Sequence, residues 1–380
     1  MVVLPGSRSQ AASRTRAGAG FPRFFASIAV LTACVLGAAG CREPVSADRE
    51  WTTHGRTLRA EVWMAGAEDV QAALESIHES VDGALALLDP SAADSALGRM
   101  NRAAENDYYT VESSDLGRAI RLALDYAQFT KGAFDPTVAP LERLYERGTG
   151  RVPTPGEIEL VLARVGWDKI AVAPEAHAFR FLQPGMQLDL GAVSSGFALD
   201  VASRVFARPG SRAGLLRLEP GILAWGSPPG LAEWSVEVVD PRQPDRTLLE
   251  LLVAHRGLGS VGNRVIDGGA ASLILDPRSG RPATSDVLAA VAVADSVADA
   301  CALAEAVFVL GSHQAGDLLK KMIRAEAVLL VAGNGAPVLL ASASLEGKLR
   351  PSPELEAEVG GRVRYILPPS TIAIELPKPR

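Results

Sequence analysis

A chain of 380 residues is long enough for one large domain or two ordinary ones, and 48% hydrophobic against 22% charged residues is too apolar for global disorder. The net charge of -6, without runs of like charge, gives no support to nucleic-acid binding or to a polybasic hold on a membrane. Of three cysteines, Cys34 and Cys41 fall in an N-terminal apolar stretch, which leaves Cys301 and no internal disulfide framework.

In chain order, Arg8, Arg14, Arg16 and Arg23 precede the run Phe24–Cys41, FFASIAVLTACVLGAAGC. A basic region, a short apolar core and small residues at the end read as an export signal, since a membrane span needs roughly 20 apolar residues. Ala38-Ala39-Gly40-Cys41 resembles a lipoprotein lipobox, with Cys41 as the lipidated first residue, and Leu31-Thr32-Ala33-Cys34 is a second such run. Residues 1–41 are therefore expected to be a lipoprotein signal, 42–57 a polar tether, 58–345 the main domain and 346–380 a C-terminal tail.

Arg59–Met64 alternates like a strand, and Val70–Leu88 carries apolar residues at helical spacing up to Asp89-Pro90. Ser95–Arg102 reads as a loop with a helical turn, Asp115–Thr130 as a second helix, and Gly132–Thr137 as its break. Thr154 with Glu157 forms a capping box for a helix over Pro155–Val165. Ile170–Val172 and Arg180–Leu182 suit a hairpin, and Gln187–Phe206 a short strand, a small-residue turn and a helix. Strands are expected at 215–218, 234–239, 248–254, 271–275, 287–293, 327–331 and 338–342, and helices at 299–311 and 313–322. Helices and strands mix without βαβ alternation, so the fold class is α+β.

The turn Gly191-Ala192-Val193-Ser194-Ser195-Gly196 suits a phosphate, because small residues leave N–H groups bare at a helix start, yet it holds no Lys or Arg. Gly257-Leu258-Gly259-Ser260-Val261-Gly262 matches G-x-G-x-x-G, but the turn-like Asn263–Gly269 follows it. A Gly-rich loop between strands is the better reading than a dinucleotide fold. His54, His78, His177, His255 and His313 are scattered without metal-ligand spacing. Asp295 with Asp299 and Cys301 with Glu305 are i,i+4 pairs, readable as helix capping and exposed charge or as a metal site.

Several segments follow one another in the order of a known family: SALGRMN, TKGAFDPTVAPL, a helix ending in VGW, LDLGAVSSGFALD, LRLEPGILAWG, WSVEVVDP, LILDPRSGRP and ACALAEAVFVLG. Over residues 57–345 the chain resembles the ApbE family, the FAD:protein FMN transferases. The resemblance implies T-fold-related sheets with packed helices around a flavin cleft. It implies FAD as substrate, Mg2+, and transfer of FMN to a Thr or Ser of an exported flavoprotein acceptor, with release of AMP. It also implies a lipid-anchored protein on the periplasmic side of the bacterial envelope. A metal would neutralise the pyrophosphate and place the attacked phosphorus.

By this resemblance Phe134, Asp135 and Thr137 form a flavin-cleft loop. Asp189, Leu190, Gly191, Gly196 and Asp200 match its D-L-G-G-x-x-K-G-x-x-x-D pattern, with Ser195 at the lysine position. Asp276, Pro277 and Gly280 match its D-P-x-T-G loop, where Ser279 replaces Thr and Leu273 replaces a preceding His. Glu219-Pro220-Gly221 stands for a Gly-Gly-Asp turn. Cys301 and Glu305 stand at the Asp and Thr metal-ligand positions, completed by a main-chain carbonyl near Ser194. With these substitutions a second reading stands beside the transferase: a catalytically inactive flavin-binding or scaffold lipoprotein of the same fold. A third is a binding module for another small ligand, with Tyr126, Trp225 and Trp234 lining the cleft.

Overall fold

In the computed structural model, residues 43–104, 107–145, 151–173, 177–265, 271–272, 274–322 and 324–367 are described. The expected signal, with Cys34 and Cys41, and Leu273 lie outside them. Among the described residues nine strands form one sheet, in the order Val45–Thr53, Arg56–Met64, Ser211–Leu218, Gly221–Gly226, Arg256–Gly262, Val287–Ala294, Glu326–Val331, Val338–Ser342 and Val363–Leu367. Every neighbouring pair is antiparallel except the last, which is parallel.

Alternation decides which face each strand buries. Leu58, Ala60, Val62 and Met64 turn to one side, where helix α1 (Ala67–Leu87) brings Val70, Ala73, Leu74, Ile77 and Val81 at its own 3.6-residue period. Each such Val, Leu, Ile or Met side chain, fully buried, contributes about 1.5–3 kcal/mol. Helices α6 (Gly191–Ala202) and α7 (Val297–Leu319) lie on the same face. Ala213, Leu215, Val291 and Val293 turn to the other face, against Val236, Val238, Leu249 and Leu251 of a small sheet formed by Trp234–Asp240, Gln243–Val253 and Leu349–Pro351. A helical cluster of α2 (Ala96–Ala103) and α3 (Ser114–Phe129), with the hairpin Ile170–Val172/Ala178–Phe181, extends the helical side.

The G-x-G-x-x-G run is itself a strand, Arg256–Gly262, rather than a loop between strands. Two of its glycines make room for the helix above. A Cβ on Gly257 would meet the Val297 nitrogen at 2.4 Å, and one on Gly259 would meet the Cys301 nitrogen at 2.5 Å. Two bare strand positions thus let α7 rest on the sheet backbone to backbone. Where α6 crosses α7, a Cβ on Gly196 would meet the Ala298 nitrogen at 2.7 Å.

The segment expected as a tether is the edge strand Val45–Thr53, joined to Arg56–Met64 through His54 and Gly55, both at positive φ (47° and 71°). Such a two-residue loop matches strand twist, and its sequence signal is a Gly at the second turn position between alternating runs. The Thr53 hydroxyl donates to Asp82 of α1 at 2.7 Å, which pins the hairpin tip. Beyond residue 345, α8 (Pro353–Val359) and the strand Val363–Leu367 complete the fold where a tail is expected. Ser95–Arg102 is mostly α2, capped by the Ser95 side chain. The expected break near Gly311 is real: α7 continues past it, but Gly311 is non-helical (φ 82°, ψ 167°).

Candidate functional site

The motif segments meet at the start of α6. Buried Asn101, at the end of α2, clamps the approach: its amide donates to the Leu188 carbonyl and its carbonyl accepts from the Leu188 N–H, both at 2.9 Å. One amide side chain thereby pairs with an extended segment as a neighbouring strand would. The expected strand at 187–190 does not form, and Gly191 already opens the helix. Asp189 follows, with its N–H donating to the Pro136 carbonyl at 2.7 Å and its carboxylate accepting from the Gly191 N–H at 2.6 Å. One N–H of the helix start expected to be bare, that of Gly191, is therefore taken by Asp189.

The loop Gly132–Thr137 is fixed from within. Asp135, 4% exposed, accepts from the Thr137 N–H (2.9 Å), the Thr137 hydroxyl (2.6 Å) and the Trp167 N–H (2.9 Å). The Thr137 oxygen accepts from the Gly166 N–H at 2.7 Å. Burial raises the Asp135 carboxyl above its ordinary pKa, against those hydrogen bonds. Phe134 is buried and meets Tyr126 edge-on at 6.5 Å. Asp276 holds Arg278 through two guanidinium nitrogens at 2.8 Å each, and a Cβ on Gly132 would lie 3.6 Å from the Arg278 side chain. The loop Asp276–Gly280 thus reaches the Gly132 loop, and Tyr145 secures it by donating to the Gly280 carbonyl at 2.9 Å.

Ser194 and Ser195 are buried on α6. The Ser195 hydroxyl donates to the Glu219 carbonyl at 3.0 Å, which brings the Glu219-Pro220-Gly221 turn against the helix. A cation is present after all, supplied from elsewhere in the chain: Arg56 Nη1 donates to both the Ser195 and the Ser194 hydroxyls, the latter at 3.2 Å. Burial lowers the Arg56 pKa, while the charges of Asp189 and Asp89 act the other way. A guanidinium stays protonated regardless. Sequence reading missed Arg56 because residues 42–57 read as a tether; the His54-Gly55 turn was the overlooked signal. It missed the work of Asn101 too, although the SALGRMN motif ends on it.

The head of α7 is built from acids. Ser296 caps it: its hydroxyl oxygen accepts from the Asp299 N–H at 3.1 Å and its hydroxyl donates to the Asp299 carboxylate at 2.7 Å. Asp200 reaches over from α6 to accept from the Val297 N–H (2.8 Å) and the Ala298 N–H (2.9 Å). Burial raises Asp200 to about 7 and also raises Asp299, to which Tyr126 is hydrogen-bonded. Asp295 points elsewhere, to Arg324 at 2.9 Å. Cys301, 4% exposed, is held as a neutral thiol by burial first and then by the charges of Asp200 and Glu305.

This donor set does not fit Mg2+. The ion asks for hard oxygen ligands, whereas Cys301 offers a buried neutral thiol with the Arg56 charge beside it. Among the described residues no three His, Cys, Asp or Glu side chains gather as a metal group. Glu305 follows Cys301 by one helical turn and is only partly buried. Tyr126, Trp225 and Trp234 do not line one cleft: each belongs to a different hydrophobic cluster, and Trp225 is stacked on Phe206 at 4.9 Å.

The sequence model of the ApbE family matches residues 54–329. A protein of Treponema pallidum named FAD:protein FMN transferase is 29% identical over 328 residues, covering 80% of this chain and 90% of that one. A Salmonella typhimurium protein of the same name is 25% identical, covering 77% and 86%. The solved flavin transferase ApbE of Vibrio cholerae superposes with a TM-score of 0.68 at 20% identity, covering 80% of this chain and 99% of that one. The ApbE protein of Thermotoga maritima gives 0.66 at 21% identity, covering 83% and 99%. The α+β fold of this chain is that of these structures, and the chain belongs to the ApbE family.

Proposed function

We propose that this protein binds FAD across the loops Gly132–Thr137, Asp189–Gly196 and Asp276–Gly280, and transfers its FMN part to a Thr or Ser hydroxyl of an exported flavoprotein. The attacking oxygen forms an ester bond to the FMN phosphorus, the phosphoanhydride bond breaks, AMP leaves, and the hydroxyl proton passes to water. The observation that carries the reading is the gathering of three separate motif segments near the start of α6, linked by the Asp189–Pro136 and Arg278–Gly132 contacts. The names of the relatives support it. In this reading Phe134, Asp135, Thr137, Asp189, Gly191, Ser194, Gly196 and Asp276 shape the flavin dinucleotide site. No metal is assigned to Cys301, Glu305 and the Ser194 carbonyl.

The test is incubation of the full chain with FAD and a Thr-containing acceptor flavoprotein, read as covalent flavin fluorescence on the acceptor and stoichiometric AMP. FAD binding without AMP release would refute transfer and leave the flavin-binding or scaffold protein, a reading that the neutral Cys301 thiol favours. The reading further places the protein on the periplasmic side, lipidated at Cys41. Palmitate label that disappears in Cys41→Ser supports this anchor. Label that persists there and disappears in Cys34→Ser moves the anchor to Cys34.

A further inference from the structure

Among the described residues Arg56 is a cation without an ion-pair partner. Among the described residues its guanidinium meets two hydroxyls, Ser194 and Ser195, and no carboxylate at ion-pair distance. Both contacts use Nη1, so Nε and Nη2 have no protein acceptor there. The arrangement is built and fixed. The hairpin tip that carries Arg56 is tied to α1 through Thr53 and Asp82, and the serine oxygens that receive Nη1 are themselves anchored to the Gly191 and Glu219 carbonyls. The nearby charges of Asp189 and Asp89 favour the protonated form without forming a close pair. A partly desolvated guanidinium with spare forked donors is a receptor for phosphate oxygens.

We propose that Arg56 is the fixed positive charge of this site and binds the diphosphate of its ligand, taking the electrostatic place that a divalent ion cannot take beside Cys301. The ligand's identity as FAD rests on the function proposed above; the role of Arg56 as a diphosphate receptor does not. A guanidinium needs no release and rebinding of metal, so ligand binding by this chain is insensitive to chelators.

The experiment titrates the full chain, in mild detergent, with FAD by flavin fluorescence and with inorganic pyrophosphate by calorimetry, each with Mg2+ and with EDTA. The wild-type chain binds both ligands equally well in EDTA. Arg56→Gln weakens both by roughly tenfold or more, the scale of one charge-assisted hydrogen bond. Riboflavin, which lacks the diphosphate, distinguishes lost charge from lost fold, because its affinity stays within about twofold in a folded Arg56→Gln chain; Arg56→Lys restores part of the pyrophosphate affinity. Binding of either ligand that is abolished by EDTA and unchanged in Arg56→Gln overturns the proposal. Arg56-dependent binding of pyrophosphate without binding of FAD upholds the receptor and refutes the flavin reading instead. Absence of binding of both ligands overturns the receptor as well.

Discussion

Gly259→Ala tests the central contact of the fold. The added Cβ would lie 2.5 Å from the Cys301 nitrogen, 2.6 Å from its Cα and 2.7 Å from the Ala300 carbonyl carbon. All three atoms are backbone of α7, so no side chain can swing away and the helix itself must rise by about 1 Å to reach ordinary contact. Overpacking of this kind costs about 1–3 kcal/mol, and the displaced helix carries Cys301 and the Asp200 contacts with it. Gly83→Ala is the counter-experiment. Gly83 lies inside α1, with nothing within 4 Å of its added Cβ, so the same chemical change gains about 0.4–1 kcal/mol. Thermal denaturation of the two variants separates them: a midpoint several degrees below wild type for Gly259→Ala and slightly above it for Gly83→Ala, at about 2–4 °C per kcal/mol for a domain of this size. A Gly259→Ala protein as stable as the wild type would refute the backbone-to-backbone seating of α7.

Asp200 sets a pH dependence. Its folded pKa of about 7 stands above the unfolded value of about 3.9, so the native state holds a proton that the unfolded chain has lost. Stability contributed by Asp200 is therefore full below pH ~4 and falls, by up to about 4 kcal/mol, as pH rises through ~7. Asp135 and Asp299, also raised, add in the same direction. Urea denaturation at pH 5 and pH 7.5 measures this slope, and Asp200→Asn flattens it. Asn101→Leu strips partners from two backbone groups of Leu188 and costs about 2–4 kcal/mol, visible in the same assay, whereas loss of a solvated amide would cost almost nothing. Native Cys301 resists iodoacetamide and reacts once the chain is unfolded in guanidinium, as peptide mass mapping reports; rapid native labelling would contradict its burial.

The sequence disclosed most where local physics decides. The Thr154–Glu157 box starts α5 (Pro155–Leu162) as expected, and α1 and α3 lie within a few residues of their apolar stripes. Alternation also located Trp234–Asp240, and Val287–Ala294 was legible as a short apolar run. What escaped depended on partners distant in sequence. Val45–Thr53 is polar because it is an edge strand, so its composition resembled a linker. Gly257 and Gly259 read as a Gly-rich loop between strands, because no pattern within the strand announces a helix lying across it. At the site, position 195 suggested a lost charge. Only the fold reveals that the charge arrives from position 56.

That arrival has a kinetic consequence. The Arg56–Ser195 contact spans 139 residues, and the strand that seats Arg56 finds its inner neighbour only at Ser211–Leu218. A chain made from its N-terminus holds Arg56 idle until more than 150 further residues have followed. The charge at Ser195 therefore cannot be in place before Ser211–Leu218 has been made and paired, and it reports that these two strands have met.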